Sequence, residues 1–219
     1  MYKVISTGSQ GNAVLYNNQI LVDCGVPFAL IKPYLYNIQL ILLTHSHKDH
    51  ININTLKRIA FERPSVRIGV GKWMSKLVEG IRNVDYYNIG SLYNYGSFLI
   101  SPVKLYHDVP NCGYRIYICN GKGGEYKIFH ATDTAHLNGI SAKEYDLYAI
   151  EHSYDEDTVQ DTIKDKQARG EYAYEVGAIN SHLSEQQARA FIFDNQGSNS
   201  AVLRLHEHSL IESSVASGN

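Results

Sequence analysis

The sequence of 219 residues has little cysteine and little net charge. Three cysteines cannot build a dense disulfide framework, and an odd number of them indicates a reducing compartment. The formal net charge is -2 and the pI is about 6.5. A protein that binds mainly to the phosphate backbone of nucleic acid usually has a domain pI above roughly 9. The composition therefore disfavours a surface that coats nucleic acid by bulk electrostatics.

Long apolar runs are also missing. No run approaches the ~20 residues that a membrane-spanning helix needs, and the first residues lack the apolar core of a signal peptide. Disorder is disfavoured because hydrophobic residues make up 44% of the chain and charged residues only 19%. We expect a cytoplasmic protein with no membrane partner. We also expect one domain over residues 1–219, of which the last ~8 form a disordered tail.

Apolar patterns predict alternating strands and helices. The four apolar residues at 40–43 predict a strand that is buried on both faces, as in layered α/β folds. Ser184 and Gln187 predict the capping box of a following helix. The polar segment 154–178 stays unassigned. Further strands are predicted at 14–16, 20–22, 65–70, 97–106, 113–119, 125–130, 146–150 and 201–205, and further helices near 28–36, 54–62 and 72–80.

Histidine is abundant where cysteine is scarce: the chain has ten histidines, and several stand together after the apolar strand at 40–43. In an extended stretch, side chains two residues apart point the same way, so His45 and His47 can bind one ion. Asp49 and His50 follow the bend and can reach a second ion. Imidazole combined with carboxylate suits zinc, manganese or iron rather than calcium. This cluster therefore predicts a metal site.

The spacing of these residues, H-x-H-x-D-H, resembles the signature of the metallo-β-lactamase superfamily. The resemblance extends over most of the chain. Asp23 matches the early structural aspartate, His107 the ligand of the third motif, Asp133 the bridging carboxylate and His206 the last ligand. The resemblance implies an α/β fold, a four-layer αβ/βα sandwich with a dinuclear metal site at one edge of the sheets.

The resemblance also assigns ligands to two divalent ions, zinc or manganese. The first ion takes His45, His47 and His107. The second ion takes Asp49, His50 and His206, with Asp133 bridging the two. His208 is the alternative last ligand, but His206 is favoured because it falls where the strand at 201–205 should end. His130 and His136 flank Asp133 and are more typical of sheet or loop residues.

Within the superfamily the chain resembles the YycJ/WalJ-like branch, near the RNase Z and β-CASP nucleases. The segments that carry this likeness are residues 7–12, 23–25, 107–108, 113–114, 151–155 and 182–184. Phosphodiesterases of this group have a histidine before a short capped helix, whereas β-lactamases do not. The resemblance thus implies that His182 is a general acid. His152, which follows the strand at 146–150, is a candidate contact for substrate.

Two metal ions can share a hydroxide and neutralise the charge that develops on a phosphoryl group. We therefore expect a metal-dependent phosphodiesterase in which Asp49 orients the bridging hydroxide and His182 protonates the leaving group. An exonuclease-like nuclease acting on nucleic acid is the leading expectation. A cyclic-nucleotide or other small-molecule phosphodiesterase is the second, and an ester, lactone or thioester hydrolase, which would not need His182, is the third. The sequence leaves a homodimer open.

Overall fold

The computed structural model describes residues 2–119, 121, 123–173 and 175–206. The first sheet contains, in spatial order, β1 (Tyr2–Ser6), β2 (Ala13–Tyr16), β3 (Ile20–Val22), β4 (Leu40–Leu43), β5 (Arg67–Gly71) and β6 (Val84–Tyr87). The second contains, in spatial order, β12 (Ala201–Leu205), β11 (Leu147–Glu151), β10 (Glu125–Ala131), β9 (Asn111–Cys119), β8 (Phe98–Leu105) and β7 (Tyr93–Asn94). The helices are α1 (Phe28–Ile31), α2 (Ile53–Glu62), α3 (Val159–Ala168), α4 (Glu175–Ser181) and α5 (Glu185–Asn195).

Each sheet joins an antiparallel part to a parallel part. Strands β3 to β6 run parallel, as do β10, β11 and β12, while the remaining neighbours are antiparallel. Parallel strands place their carboxyl ends at one edge of a sheet, and ligand sites of open α/β sheets lie beyond such ends. The loops that follow β3, β4, β10, β11 and β12 are therefore placed to build a common site.

Strand β4 is buried on both faces, which confirms the prediction for the apolar run at 40–43. Ile41 and Leu43 pack in the outer core beneath α1 and α2. Leu40 and Leu42 pack in the core between the two sheets. Because β4 lies between β3 and β5, it fixes the position of the loop that follows it.

Four layers result from this packing. Helices α1 and α2 cover the outer face of the first sheet, where Ile31 and Leu56 join its core. The inner faces of both sheets share a second core. Helix α5 covers the outer face of the second sheet through Ala188 and Ile192. The predicted four-layer sandwich is therefore confirmed.

Local structure departs from the sequence prediction at several places. The helix expected near 28–36 is split into α1 and a 3₁₀ turn at Lys32–Tyr34, where Pro33 occupies an early position. The helix expected near 72–80 forms only as the 3₁₀ turn Lys72–Met74. Strands β6 and β7 were not predicted, because both lie at sheet edges and carry few buried residues. The unassigned polar segment contains α3 and the start of α4.

The predicted capping box of α5 is present. Ser184 Oγ accepts a hydrogen bond from the Gln187 backbone amide at 3.0 Å, and Gln187 Oε1 accepts one from the Ser184 amide at 3.0 Å. Among the described residues, no helix has the length and apolarity that crossing a membrane requires. His208 and the predicted disordered tail lie outside the described residues.

Candidate metal centre

The predicted ligands come together at the carboxyl-terminal edge of the two sheets. His45 follows β4, His107 follows β8, Asp133 follows β10 and His206 follows β12. The strand ends thus bring four separate segments of the chain within the reach of one or two ions. The ligand roles themselves stay predictions.

Three imidazole nitrogens converge in the first group. His47 Nδ1 lies 3.1 Å from His45 Nε2 and 3.3 Å from His107 Nε2. Ligand nitrogens at 2.0–2.1 Å from a tetrahedral zinc ion are about 3.3 Å from each other. The spacing of these nitrogens therefore fits three ligands of one ion, as the resemblance assigned them.

The Nδ1 atoms of His107 and His45, on the other side of each ring from the candidate ligand atom, are in hydrogen-bond contact with the protein. His107 Nδ1 lies 3.0 Å from the Ser181 carbonyl, to which it can donate, and His45 Nδ1 lies 3.0 Å from Thr44 Oγ1. Such contacts orient metal-ligating imidazoles and fix their tautomers. Burial, aided by the nearby His50, lowers the pKa of His45 to about 2, and burial lowers the pKa of His107. Both rings are thus neutral at neutral pH, with a lone pair available for a cation.

The second group combines imidazole with carboxylate. His50 Nε2 lies 3.0 Å from Asp133 Oδ2 and 3.6 Å from Asp49 Oδ2. His206 Nε2 lies 3.7 Å from Asp133 Oδ1. Candidate ligand atoms of Asp49, His50 and His206 lie within 4.8 Å of one another, and so do those of His45, His50 and Asp133. Asp133 therefore stands between the two groups, in the position that a bridging carboxylate needs.

The buried carboxylate of Asp23 contacts the ring nitrogen of His50 that is turned away from Asp133. Asp23 Oδ2 lies 2.7 Å from His50 Nδ1, and Asp23 also accepts hydrogen bonds from the amide and hydroxyl of Thr44 at 2.9 Å each. Burial alone would lower the pKa of His50, but the carboxylates of Asp133 and Asp23 raise it well above its usual value. Burial likewise disfavours ionised Asp133, yet His50 holds the pKa of that carboxyl well below its usual range.

Three residues of the centre have left-handed backbones. Asp23, Asp133 and His206 have φ angles of 60°, 55° and 52°. This conformation costs a residue other than glycine on the order of 1–2 kcal/mol. Asp23 and His206 directly follow a strand and Asp133 follows β10 after one residue, so the bend turns each side chain toward the centre at the cost of local strain.

The loop at residues 7–12 packs directly against residues 44–51. The latter carry the H-x-H-x-D-H signature and are called the metal-binding loop. Asn12 donates its backbone amide to the Asp49 carbonyl at 2.6 Å, and its Nδ2 lies 2.9 Å from His50 Nε2. Thr7 Oγ1 accepts a hydrogen bond from the His206 amide at 2.9 Å. From the sequence, no role of their own was predicted for Asn12 and Thr7. Their signal was only the likeness of residues 7–12 to the family pattern.

His182 lies beside Asp133 and is held by Glu151. Glu151 is fully buried and accepts hydrogen bonds from the amides of Thr134 and Leu183 at 2.6 and 3.0 Å. Its Oε2 lies 3.0 Å from His182 Nδ1, which is also 3.4 Å from Asp133 Oδ1. Burial would lower the pKa of His182, but Glu151 raises it above the usual value. From the sequence, Glu151 was only part of the segment 151–155 that carries the family likeness, and no role in the site was predicted for it.

The remaining histidines occupy supporting positions. His152 is only 4% exposed, and its Nδ1 lies 3.0 Å from the Ile150 carbonyl. The ring is therefore packed inside the protein, and its contact with substrate stays a prediction. His130 is buried 2.8 Å from the Tyr16 hydroxyl, and His136 stacks on Tyr106 with ring centroids 4.2 Å apart. Both positions agree with sheet and loop roles.

Comparison with known proteins gives the family. The family model described as "Beta-lactamase superfamily domain" matches residues 18–191, and the chain belongs to that family. The superfamily likeness inferred from the histidine signature is therefore confirmed. No curated protein sequence matches the chain.

Solved structures of low sequence identity share the fold. The metallo-β-lactamase fold protein YhfI from Bacillus subtilis is 16% identical, with a TM-score of 0.66, over 94% of this chain and 85% of that chain. The short form of human tRNase Z is 16% identical, with a TM-score of 0.63, over 94% and 92%. A diphosphatase of the PhnP family is 12% identical, with a TM-score of 0.61, over 94% and 85%. At these identities the likeness shows the fold alone.

Gly25 sets how closely the N-terminal segment approaches the metal-binding loop. A Cβ atom at Gly25 would lie 1.8 Å from the Asp49 carbonyl oxygen, so Gly25→Ala must push that loop away. We expect zinc affinity to fall about 10- to 100-fold, as when supporting groups of a metal site are changed. A competitive chelator titration measures the affinity, and circular dichroism checks the fold.

The matched control is Gly177→Ala, because a Cβ atom at Gly177 in α4 meets nothing within 4 Å. Wild-type zinc affinity in a folded Gly25→Ala variant would contradict this account of the loop contact.

Proposed function

We propose that the chain is a metal-dependent hydrolase of phosphodiester bonds, and in the first instance a nuclease. The observation that carries the proposal is the placement of His182. Its ring lies beside Asp133 and has the buried carboxylate of Glu151 behind it. A protonatable imidazole at this point can serve a leaving group that departs as an alkoxide, whereas the thiolate released by thioester hydrolysis would not require it.

The donor groups fit two divalent ions, with His45, His47 and His107 holding one and Asp49, His50 and His206 the other. When bound, such ions would supply a water nucleophile at neutral pH and neutralise charge on the phosphoryl group. Asp133 would contribute to both, because its candidate ligand atom lies within 4.8 Å of those of His45 from the first set and His50 from the second.

Asp49 is the acceptor that can orient the attacking water. Its side chain is 30% exposed, whereas that of Asp133 is only 3% exposed. A partly open carboxylate at the edge of the donor set can accept a hydrogen bond from water and direct a lone pair toward phosphorus. Orientation of this kind lowers the barrier by removing rotational freedom before the reaction.

His182 would deliver the proton to the leaving oxygen. With Nδ1 bound to Glu151, Nε2 is the nitrogen that remains for a substrate. The Glu151 carboxylate stabilises the imidazolium form and so keeps a proton available. A positioned general acid contributes typically ~10²–10⁴-fold to the rate.

The solved structures of similar fold support a phosphate-containing substrate. A human tRNase Z and a diphosphatase of the PhnP family both align with 94% of the chain. A nuclease is the first candidate, and a cyclic-nucleotide or other small phosphodiesterase is the second. A panel of 5′-labelled single- and double-stranded DNA, RNA and cyclic mono- and dinucleotides, each with Mn²⁺ or Zn²⁺, separates them. Cleavage of esters or thioesters in preference to every member of the panel would overturn the proposal.

The roles of Asp133 and His182 predict different substrate dependences. His47→Ala and Asp133→Ala should abolish hydrolysis of every phosphodiester, because each removes a ligand. His182→Ala should lower kcat about 10²–10⁴-fold for a substrate with an alkoxide leaving group. It should leave bis(p-nitrophenyl) phosphate hydrolysis nearly unchanged, because nitrophenolate departs without a proton.

Steady-state kinetics measure the loss of kcat on each of the two substrates. His136→Ala is the control, because that ring lies against Tyr106 and has no proposed role in proton transfer. Equal losses on both substrates in His182→Ala would exclude a proton-donor role.

The Glu151–His182 contact predicts a pH dependence. Glu151 raises the pKa of His182, and a general acid is active only below its pKa. Activity should therefore fall as pH rises through the raised pKa of His182. Glu151→Gln removes the negative charge, which lowers this pKa and moves the alkaline limb of kcat/KM to lower pH.

The measurement is a pH profile of kcat/KM for an alkoxide substrate, since this parameter reports the groups of the free enzyme. An alkaline limb that stays at its wild-type position in Glu151→Gln would refute the pairing as a functional one.

A further inference from the structure

Charge is divided unevenly along the chain. Residues 24–82 contain nine Lys or Arg and three Asp or Glu, a formal net charge of +6. The rest of the chain has eleven basic and nineteen acidic residues, a formal net charge of -8. The overall value of -2 therefore conceals a strongly basic segment, and such an asymmetry is typical of proteins that bind polyanions.

This basic segment forms one side of the molecule. Helices α1 and α2 and residues 72–78 all pack on the outer face of the first sheet, where Ile31, Leu56 and Met74 join the same core. Since their apolar sides share that core, their exposed sides form a common surface.

Two exposed arginines of this segment are paired, Arg58 with Glu62 and Arg67 with Asp85, whereas six other exposed cations have no carboxylate partner in the part of the chain that the structure describes. They are Lys32, Lys48, Lys57, Lys72, Lys76 and Arg82. The cations of residues 159–204 behave differently, because every one of them forms an ion pair. Those pairs are Lys164–Asp161, Lys166–Glu175, Arg169–Glu171, Arg189–Glu185 and Arg204–Glu185. Unpaired positive charge is thus more abundant on the first side than along residues 159–204.

Large aromatic rings are exposed on the same side. Tyr36 is 82% exposed and Phe61 is 84% exposed. The Arg63 guanidinium lies 5.5 Å from the centre of the Tyr36 ring, which places this ring beside the end of α2. Exposed aromatic rings interleaved with cations suit unpaired bases, because base stacking contributes about 1–3 kcal/mol per base and tolerates any sequence.

The surface begins at the metal centre. Lys48 lies within the metal-binding loop, and α2 starts directly after it, with Asn52 as its N-terminal cap. Cys24, just before α1, bridges to Ile51 at the end of the same loop. A helix of ten residues is about 15 Å long, so α2 extends the basic side about 15 Å away from the centre.

We propose that this side binds the phosphate backbone of single-stranded nucleic acid and leads it to the metal centre. We name it the basic layer, and its residues are Lys32, Lys48, Lys57, Lys72, Lys76 and Arg82 with Tyr36 and Phe61. The inference rests on the proposed phosphodiesterase function, which supplies the reason for a polyanion to be held beside this centre. Its partner is single-stranded because stacked base pairs would not offer their faces to the two exposed rings.

The test is binding of a fluorescent phosphorothioate oligothymidylate of about 12 nucleotides, which resists cleavage, to the metal-loaded enzyme. Lys57→Glu/Lys76→Glu should raise Kd about tenfold or more. It should also reduce the salt slope, log Kd against log salt, by about 1.4 because two phosphate contacts are lost. The control Lys164→Glu/Arg169→Glu makes the same charge change outside the basic layer, in and just after α3, and should leave both quantities near wild type. Tyr36→Ala/Phe61→Ala should raise Kd without changing the salt slope.

Hydrolysis of bis(p-nitrophenyl) phosphate separates this inference from the proposed function. Lys57→Glu/Lys76→Glu should keep wild-type turnover of that small substrate. A wild-type protein that hydrolyses no phosphodiester, but whose oligonucleotide binding fails in this variant, would contradict the proposed function and support the basic layer. The basic layer is overturned if the variant binds the oligonucleotide as wild type does. It is also overturned if the substitutions instead abolish binding to phosphatidylserine vesicles or dissociate a homodimer while oligonucleotide binding is unchanged.

Discussion

The contact between Asp133 and His50 is the interaction on which the rest of the centre depends. Asp133 is almost fully buried, and His50 Nε2 lies 3.0 Å from its Oδ2. An ionised carboxylate in such a place is costly unless cations or donors compensate it. His50 is held in turn by Asp23, which is buried as well. The line Asp133–His50–Asp23 therefore places concentrated negative charge among imidazoles, an environment that favours divalent cations.

The fold places Asp133, His50 and Asp23 in the segments that follow the ends of strands. Asp23 and Asp133 adopt left-handed backbones within two residues of the ends of β3 and β10, while His50 belongs to the loop after the doubly buried β4. Gly25 lets the segment after Asp23 touch that loop. The sheets supply the rigidity that keeps strained residues in place, and the loops supply the predicted ligands. Strain at this edge is consistent with a site whose geometry is fixed before any ligand arrives.

Sequence predicted much of the fold and the donor set, because those signals are local. Four apolar residues identified β4, and three histidines with an aspartate in one loop predicted a metal site. His107, Asp133 and His206 are single residues with no pattern of their own, and only the family likeness pointed to them. Glu151 and Ser181 could not be predicted, since their roles depend on tertiary contacts with His182 and His107.

The arrangement of charge in space could not be predicted from the sequence either. A net charge of -2 argued against an extended nucleic-acid surface, because the sum over the chain hides how charge is arranged in space. Packing of α1 and α2 on one sheet face gathers the unpaired cations, whereas the cations of residues 159–204 are neutralised by neighbouring carboxylates. The sign of one surface, rather than of the whole chain, decides which partners it attracts.

The most direct test of the central claim is the metal content of the purified protein, measured by inductively coupled plasma mass spectrometry together with Tm before and after chelation. The account predicts about two divalent ions per chain and a lower Tm after chelation, because Asp133 and its neighbours would lose the cations that compensate them. A metal-free protein that binds no added zinc or manganese, and whose Tm does not change with chelator, would contradict it.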